Sequence, residues 1–192
     1  MTEVVLDIET VPLPVEERER YISSVLCGDS RKRKPRETPA LHPCTAKVVC
    51  VGIKPVGEPA MSLVSGNEKE LLERAKGLLE KLSPVRYVTF NGTGFDFPML
   101  RYRALANGVT GLGRLLPVSR SPGNYDIYAL LRWDLPISLA DIGYLMGIEK
   151  GNGADVEKWY EEKNYEMIEA YNIRDLELTE KIYLMRRDLL GR

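Results

Sequence analysis

Four carboxylates and one tyrosine are the side chains of this chain whose types and spacing could do chemistry. Asp7 and Glu9 sit two apart in Val4-Val5-Leu6-Asp7-Ile8-Glu9-Thr10. The run from Glu3 to Ile8 reads as a strand, on which residues two apart point to one face, so the two carboxylates stand side by side at its end. Like charges that close repel unless something positive lies between them. Asp175 belongs to a stretch of helical period from Tyr165 to Asp188, where Ile168, Tyr171, Asp175, Leu178, Ile182 and Met185 share one face. A carboxylate in such an apolar stripe costs on the order of several kcal/mol unless it is paired or binds a cation, so its partner must come from elsewhere in the chain. Asp96 follows Asn91-Gly92-Thr93-Gly94-Phe95 at the end of another strand. Taken alone, Asp96 reads as a helix cap as readily as a functional group. Oxygen ligands of this kind, with neither thiolate nor imidazole among them, suit magnesium or manganese.

The elements that must position these groups follow from the pattern. Val15 to Leu26 reads as a short charged helix or an irregular excursion. The dense basic run Arg31-Lys32-Arg33-Lys34-Pro35-Arg36 falls in a loop near 28–40, either solvated or in contact with nucleic acid. Ala46 to Ile53 and Ala60 to Val64 are strand-like and joined by a segment with two prolines and a glycine, so the first three strands should form an antiparallel meander. Leu71, Leu72, Ala75, Leu78, Leu79 and Leu82 recur at helical spacing behind Asn67, a suitable cap, and make a crossover helix. Val85 to Phe90 should then return parallel beside the first strand. Pro98 fits the first turn of a helix running to about Ala106. Asp126 reads as a cap, Ser138-Leu139-Ala140-Asp141 as a capping box with Gly147 as the stop, and residues 157–163 as a charged helix after the Gly151-Asn152-Gly153 loop.

Composition narrows the field. With 192 residues, 44% of them hydrophobic, and no long apolar run, the expectation is one domain over 1–192 with a substantial core and no membrane span. The N-terminus runs directly into a strand with no signal-like segment, which makes cytoplasmic residence the expectation. Cys27, Cys44 and Cys50 are odd in number and match no zinc spacing, so they read as reduced thiols. The single histidine, His42, argues against a zinc hydrolase, and neither a GxxxxGK[ST] loop nor a GxSxG turn is present. A net charge of −1 means that a polyanion must be held by a local basic patch or by metal ions.

Asp7-Ile8-Glu9-Thr10, Asn91-Gly92-Thr93-Gly94-Phe95-Asp96-Phe97-Pro98-Met99-Leu100 and Tyr171-Asn172-Ile173-Arg174-Asp175, taken in order, resemble the three exonuclease motifs of the DEDD superfamily. The likeness is closest to the proofreading exonuclease domain of B-family DNA polymerases and its stand-alone relatives. The histidine-type branch would have His where this chain has Ala170, and Tyr171 marks the DEDDy branch. The third motif lies near the end of the chain, so no polymerase domain is expected. The resemblance implies an α/β, ribonuclease H-like fold: a mixed five-stranded sheet with its second strand antiparallel, flanked by helices. It implies that Asp7, Glu9 and Asp175 hold one Mg2+ or Mn2+ ion, that Asp7 bridges to a second, and that Asp96 anchors that second ion. Tyr171 would orient the attacking water, since an ordinary tyrosine, with a pKa of about 10, is a poor base at neutral pH. Thr10, Asn91 and Phe95 are the implied substrate contacts, with Phe95 equally suited to core packing. The activity so implied is 3′–5′ hydrolysis of single-stranded DNA by two metal ions, releasing mononucleotides. RNA is the near alternative, and a non-catalytic nucleic-acid-binding module is a different class. A phosphatase with Asp7 as nucleophile would usually want aspartate at position 9, where this chain has Glu9.

Overall fold

The structure, a computed structural model, describes residues 1–25, 37–83, 85–118, 123–131, 136–149 and 151–190, with backbone alone at 25 and 187–190. The basic run at 31–36 and Cys27 lie outside the described residues. Strands β1 (Thr2–Pro12), β2 (Ala46–Pro55), β3 (Met61–Val64), β4 (Val85–Thr89) and β5 (Asn124–Asp126) form one sheet in the order β3-β2-β1-β4-β5. β2 is antiparallel to both β1 and β3, whereas β4 runs parallel to both β1 and β5. This is the expected mixed sheet with its second strand reversed. The central strands are apolar on both faces because both faces are covered, and Val4, Val5, Leu6 and Ile8 of β1 are all buried.

One face carries α2 (Glu68–Leu82) and α3 (Asp96–Ala106), which pack with Val4, Leu6 and Ile8. Asn67 caps α2 as expected, its side chain accepting from the Glu70 N–H at 3.2 Å. The other face carries the closing helix α8 (Tyr165–Leu190), which packs on Val5 and Val11. The remaining helices are short: α1 (Val15–Val25), α4 (Leu112–Leu115), α5 (Ile127–Leu131), α6 (Leu139–Leu145) and α7 (Asp155–Glu161). The Ser138–Asp141 capping box is formed in both directions at the start of α6, and Gly147 follows its end with φ +68°. The charged segment read over 157–163 is helical two residues earlier, from Asp155.

Two expectations are corrected. The first strand does not stop at Ile8: after a register shift between Glu9 and Thr10 it goes on pairing with β2 to Pro12, while its pairing with β4 ends at Val5. Asp7 and Glu9 therefore lie inside the strand, beside an edge that β4 leaves open. Met185, read as part of the buried stripe, is 46% exposed. The residues from Ile168 to Met185 were matched to a spacing of 3.5, against which a straight helix drifts by about 20° per seven residues. The drift carries Met185 off the face, while Asn172, Leu176, Thr179 and Tyr183, all of them buried, lie beside the stripe on a face wider than it.

Candidate active site

The carboxylates meet where α8 crosses β1. Alternation along β1 turns Val5, Asp7, Glu9 and Val11 toward α8, with Val5 in one apolar cluster beside Leu176, Leu178 and Ile182, and Val11 in another beside Ile168 and Tyr171. Asn172 and Asp175 occupy the matching level of the helix, so a polar seam crosses between two apolar clusters. One oxygen from each of Asp7, Glu9 and Asp175 lies within 4.8 Å of the others. Asp175 is only 4% exposed, and its buried Oδ1 atom accepts no hydrogen bond among the described residues. The side chains that α8 brings Asp175 against are thus a pair of strand carboxylates. Three converging hard oxygen donors fit a divalent cation such as Mg2+ or Mn2+.

Asp96 stands apart from that group. It is the first residue of α3, it is buried, and its Oδ1 accepts the Ile8 N–H at 3.1 Å, a donor freed where β4 stops pairing. The reading as a helix cap is corrected: its side chain bonds the strand and makes no cap bond to α3. Burial pushes its pKa up to about 7, with the neighbouring Asp126 adding to the rise and the N–H groups of Ile8 and of Asp96 itself opposing it. Asp126, read as a cap, has a larger task. Its two oxygens accept from the N–H groups of Asn91 at 2.8 Å and Thr93 at 3.0 Å, and only a longer bond of 3.4 Å from Ala129 serves α5. That clamp holds the turn before Asp96, in which Asn91 takes φ +66°, a conformation that asparagine tolerates better than most residues.

Tyr171 is buried on the Asp175 side of α8, tilted against Trp159 with ring centroids 6.0 Å apart. The Gly151–Gly153 loop lies on its phenol, so that a Cβ at Gly153 would stand 3.1 Å from the hydroxyl oxygen. The hydroxyl of Thr10 donates to the Ala40 carbonyl at 2.7 Å and ties the turn over Pro39–Leu41 to β1. Phe95 packs against the main core and also lines a cleft.

That cleft, of about 930 Å³, opens over the carboxylates. Asp7 and Asp175 line it together with Phe90, Asn91 and Phe95, with Thr38, Leu41 and His42 from the β1–β2 connection, and with Tyr128, Ile137 and Leu139. His42 stacks on Tyr21 at 5.8 Å, accepts the Cys44 N–H on Nδ1 at 3.2 Å, and has its pKa lowered by burial. The pattern of the sequence did not identify His42, Phe90 or Tyr128 as cleft residues. It also missed Asn172, which is fully buried and donates from Nδ2 to Asp7 Oδ2 at 2.8 Å. Gly52, a glycine inside an apolar strand, was the available signal for a close approach there.

Residues 47–115 match a family model described as a predicted 3'-5' exonuclease related to the exonuclease domain of PolB. The matched stretch contains Asn91, Phe95 and Asp96, while Asp7, Glu9, Tyr171 and Asp175 lie outside it. Among solved structures, the chain is similar to the family B DNA polymerase from the hyperthermophilic archaeon Pyrobaculum calidifontis, with a TM-score of 0.62 and 18% identity. The superposition covers 98% of this chain and 24% of the polymerase, so the chain spans about a quarter of that protein's length. This establishes the ribonuclease H-like α/β fold. No curated protein matches the chain by sequence. The family match supports exonuclease activity.

Proposed function

We propose that residues 1–192 form a single DEDDy-type 3′–5′ exonuclease domain that removes mononucleotides from single-stranded DNA with the help of two divalent ions. The observation that carries this reading is the convergence of Asp7, Glu9 and Asp175 beside a cleft that Asp7 and Asp175 line together with Asn91 and Phe95. Asp7, Glu9 and Asp175 would hold one ion, Asp7 would be shared with a second, and Asp96 would complete the second site once its carboxylate is ionised. Such a pair supplies charge stabilisation to both the attacking and the leaving oxygen of an in-line phosphodiester displacement. Water forms the new P–O bond, the bond to the 3′ oxygen of the penultimate nucleotide breaks, and that oxygen leaves with a proton. Tyr171 would orient the attacking water from the Asp175 side of α8. Phe95, Phe90 and Tyr128 offer aromatic faces along the cleft on which an unpaired terminal base can stack, whatever its identity. Asn91 offers an amide to the same nucleotide.

The cleft receives a splayed end better than a paired one, because freeing a base from a duplex costs on the order of a few kcal/mol. With Mg2+ or Mn2+, a 5′-labelled single strand should give a descending ladder, blunt duplex should be degraded more slowly, and circular single strands should persist. Cleavage of the circle, or immediate release of the 5′ label as mononucleotide, would overturn the reading. A parallel RNA oligonucleotide decides the sugar preference: faster loss of RNA than of DNA would replace the DNA assignment.

A further inference from the structure

We propose that Asn172 is the positioning residue that fixes the Asp7 carboxylate for metal binding, and that Ser62 on β3 sets the orientation of its amide. The inference rests on the metal-site reading above and adds the part of the chain that organises that site. Asn172 follows Tyr171 on α8 and is fully buried, so its amide must be satisfied by protein. Nδ2 donates to Asp7 Oδ2 at 2.8 Å, and Oδ1 accepts from the Ser62 hydroxyl at 2.9 Å. The two bonds fix which way the amide points. A flipped amide would set its oxygen against a carboxylate and its NH2 against a hydroxyl already turned toward it.

The arrangement extends one residue further. The Cys50 sulfur lies 3.1 Å from Ser62 Oγ. Since the Ser62 proton is directed to Asn172, the thiol is the donor in that contact. Burial pushes the Cys50 thiol well up, which keeps its proton on sulfur. A chain of hydrogen bonds therefore runs from Cys50 on β2 through Ser62 on β3 and Asn172 on α8 to Asp7 on β1. Gly52 makes it possible: it lies directly across the ladder from Asp7, and a Cβ there would stand 2.1 Å from Asn172 Oδ1. With Oδ2 held by the amide, the Asp7 carboxylate cannot swing away from Glu9 and Asp175. Partners of this kind, which hold a ligand rather than the metal, typically contribute about 10- to 100-fold in affinity or activity.

The test is Mn2+ titration of the metal-free protein by calorimetry, run beside thermal melting without metal. Asn172→Leu keeps the branched outline of the side chain and removes both bonds, and it should weaken Mn2+ binding by about 10- to 100-fold with little change in metal-free melting. Ser62→Ala should weaken binding by a smaller factor, about 3- to 10-fold within that scale, and Ser62→Thr, which retains the hydroxyl, should rescue most of the loss. Wild-type affinity in both Asn172→Leu and Ser62→Ala overturns the inference while leaving the metal site standing. Should Asn172→Leu fail to fold, the contrast between Ser62→Ala and Ser62→Thr decides, and equal affinities there overturn it. Absence of Mn2+ binding by the wild-type protein overturns both this inference and the function it rests on.

Discussion

Two acidic sites, each with a buried carboxylate, lie on opposite faces of the same sheet, and they are built in different ways. Glu68, at the start of α2, accepts on Oε1 from the Val48 N–H at 2.7 Å and from Arg103 Nε at 2.9 Å. Its Oε2 accepts from Arg103 Nη2 at 2.5 Å and from Asn107 Nδ2 at 2.8 Å. A two-pronged guanidinium and two neutral donors fill the acceptor directions of that carboxylate, and in doing so they tie α2, α3 and β2 together. Across the sheet, Asp7, Glu9 and Asp175 are turned toward one another instead. Burial of an acid is therefore no mark of function. What separates the two sites is what converges: around Glu68 a guanidinium and neutral donors fill one carboxylate, whereas Asp7, Glu9 and Asp175 bring oxygens of three carboxylates within 4.8 Å of one another.

The comparison breaks most sharply under paired substitutions. Asp7→Asn should lower the nuclease rate on the order of 10³-fold or more, as expected for loss of a ligand shared by two ions that together supply several kcal/mol of stabilisation. Its metal-free melting temperature should hold or rise, because one like charge leaves the cluster. Glu68→Ala should do the reverse. Removing one member of a buried, hydrogen-bonded pair strands Arg103, a loss of about 3–5 kcal/mol of stability, while the rate measured well below the melting temperature stays near wild type. Rate and melting measured together on both variants check this, and a Glu68→Ala protein that melts normally but does not cleave would erase the distinction. Next in size, Tyr171→Phe keeps the ring against Trp159 and should reduce the rate about 10²-fold if the hydroxyl positions water. An unchanged rate would return Tyr171 to packing alone.

Four strands and the facing of the acids were legible because they rest on periodicity, whereas the fifth strand, Asn124–Asp126, was implied only by the resemblance and lies where the pattern read a helix cap. Spacing of two put Asp7 and Glu9 on one face, and helical spacing put Tyr171 and Asp175 on another, without any knowledge of how the two elements cross. Period could not reveal contacts that cross elements. Asn172 is not among the residues of the face read from Ile168 to Met185, and only the close approach over Gly52 shows that it reaches Asp7. Asp126 looked like a cap because capping is local, whereas its principal bonds go 35 and 33 residues back to Asn91 and Thr93. The wall formed by Thr38, Leu41 and His42 comes from a connection with no repeating pattern, so nothing in its composition tied it to the cleft.

The smallest effect sharpens the comparison through pH. Asp96 has a folded-state pKa of about 7 against 3.8 for the free group. The stability conferred by its protonated form is fully present below pH 3.8 and is lost as the pH rises through about 7. Its contribution should therefore make the melting temperature of metal-free protein decline across that window, and Asp96→Asn should flatten the decline. Saturating Mg2+ should oppose it, since a cation favours the ionised carboxylate. Melting curves that are identical for wild type and Asp96→Asn at each pH would contradict the burial-driven shift.

The central claim, that like charges converge here to hold metal, is tested most directly by anomalous diffraction from crystals soaked in Mn2+. The account predicts an anomalous peak enclosed by Asp7, Glu9 and Asp175, absent in Asp7→Asn crystals soaked in the same way. A wild-type map without density among those three carboxylates at saturating Mn2+ would contradict it.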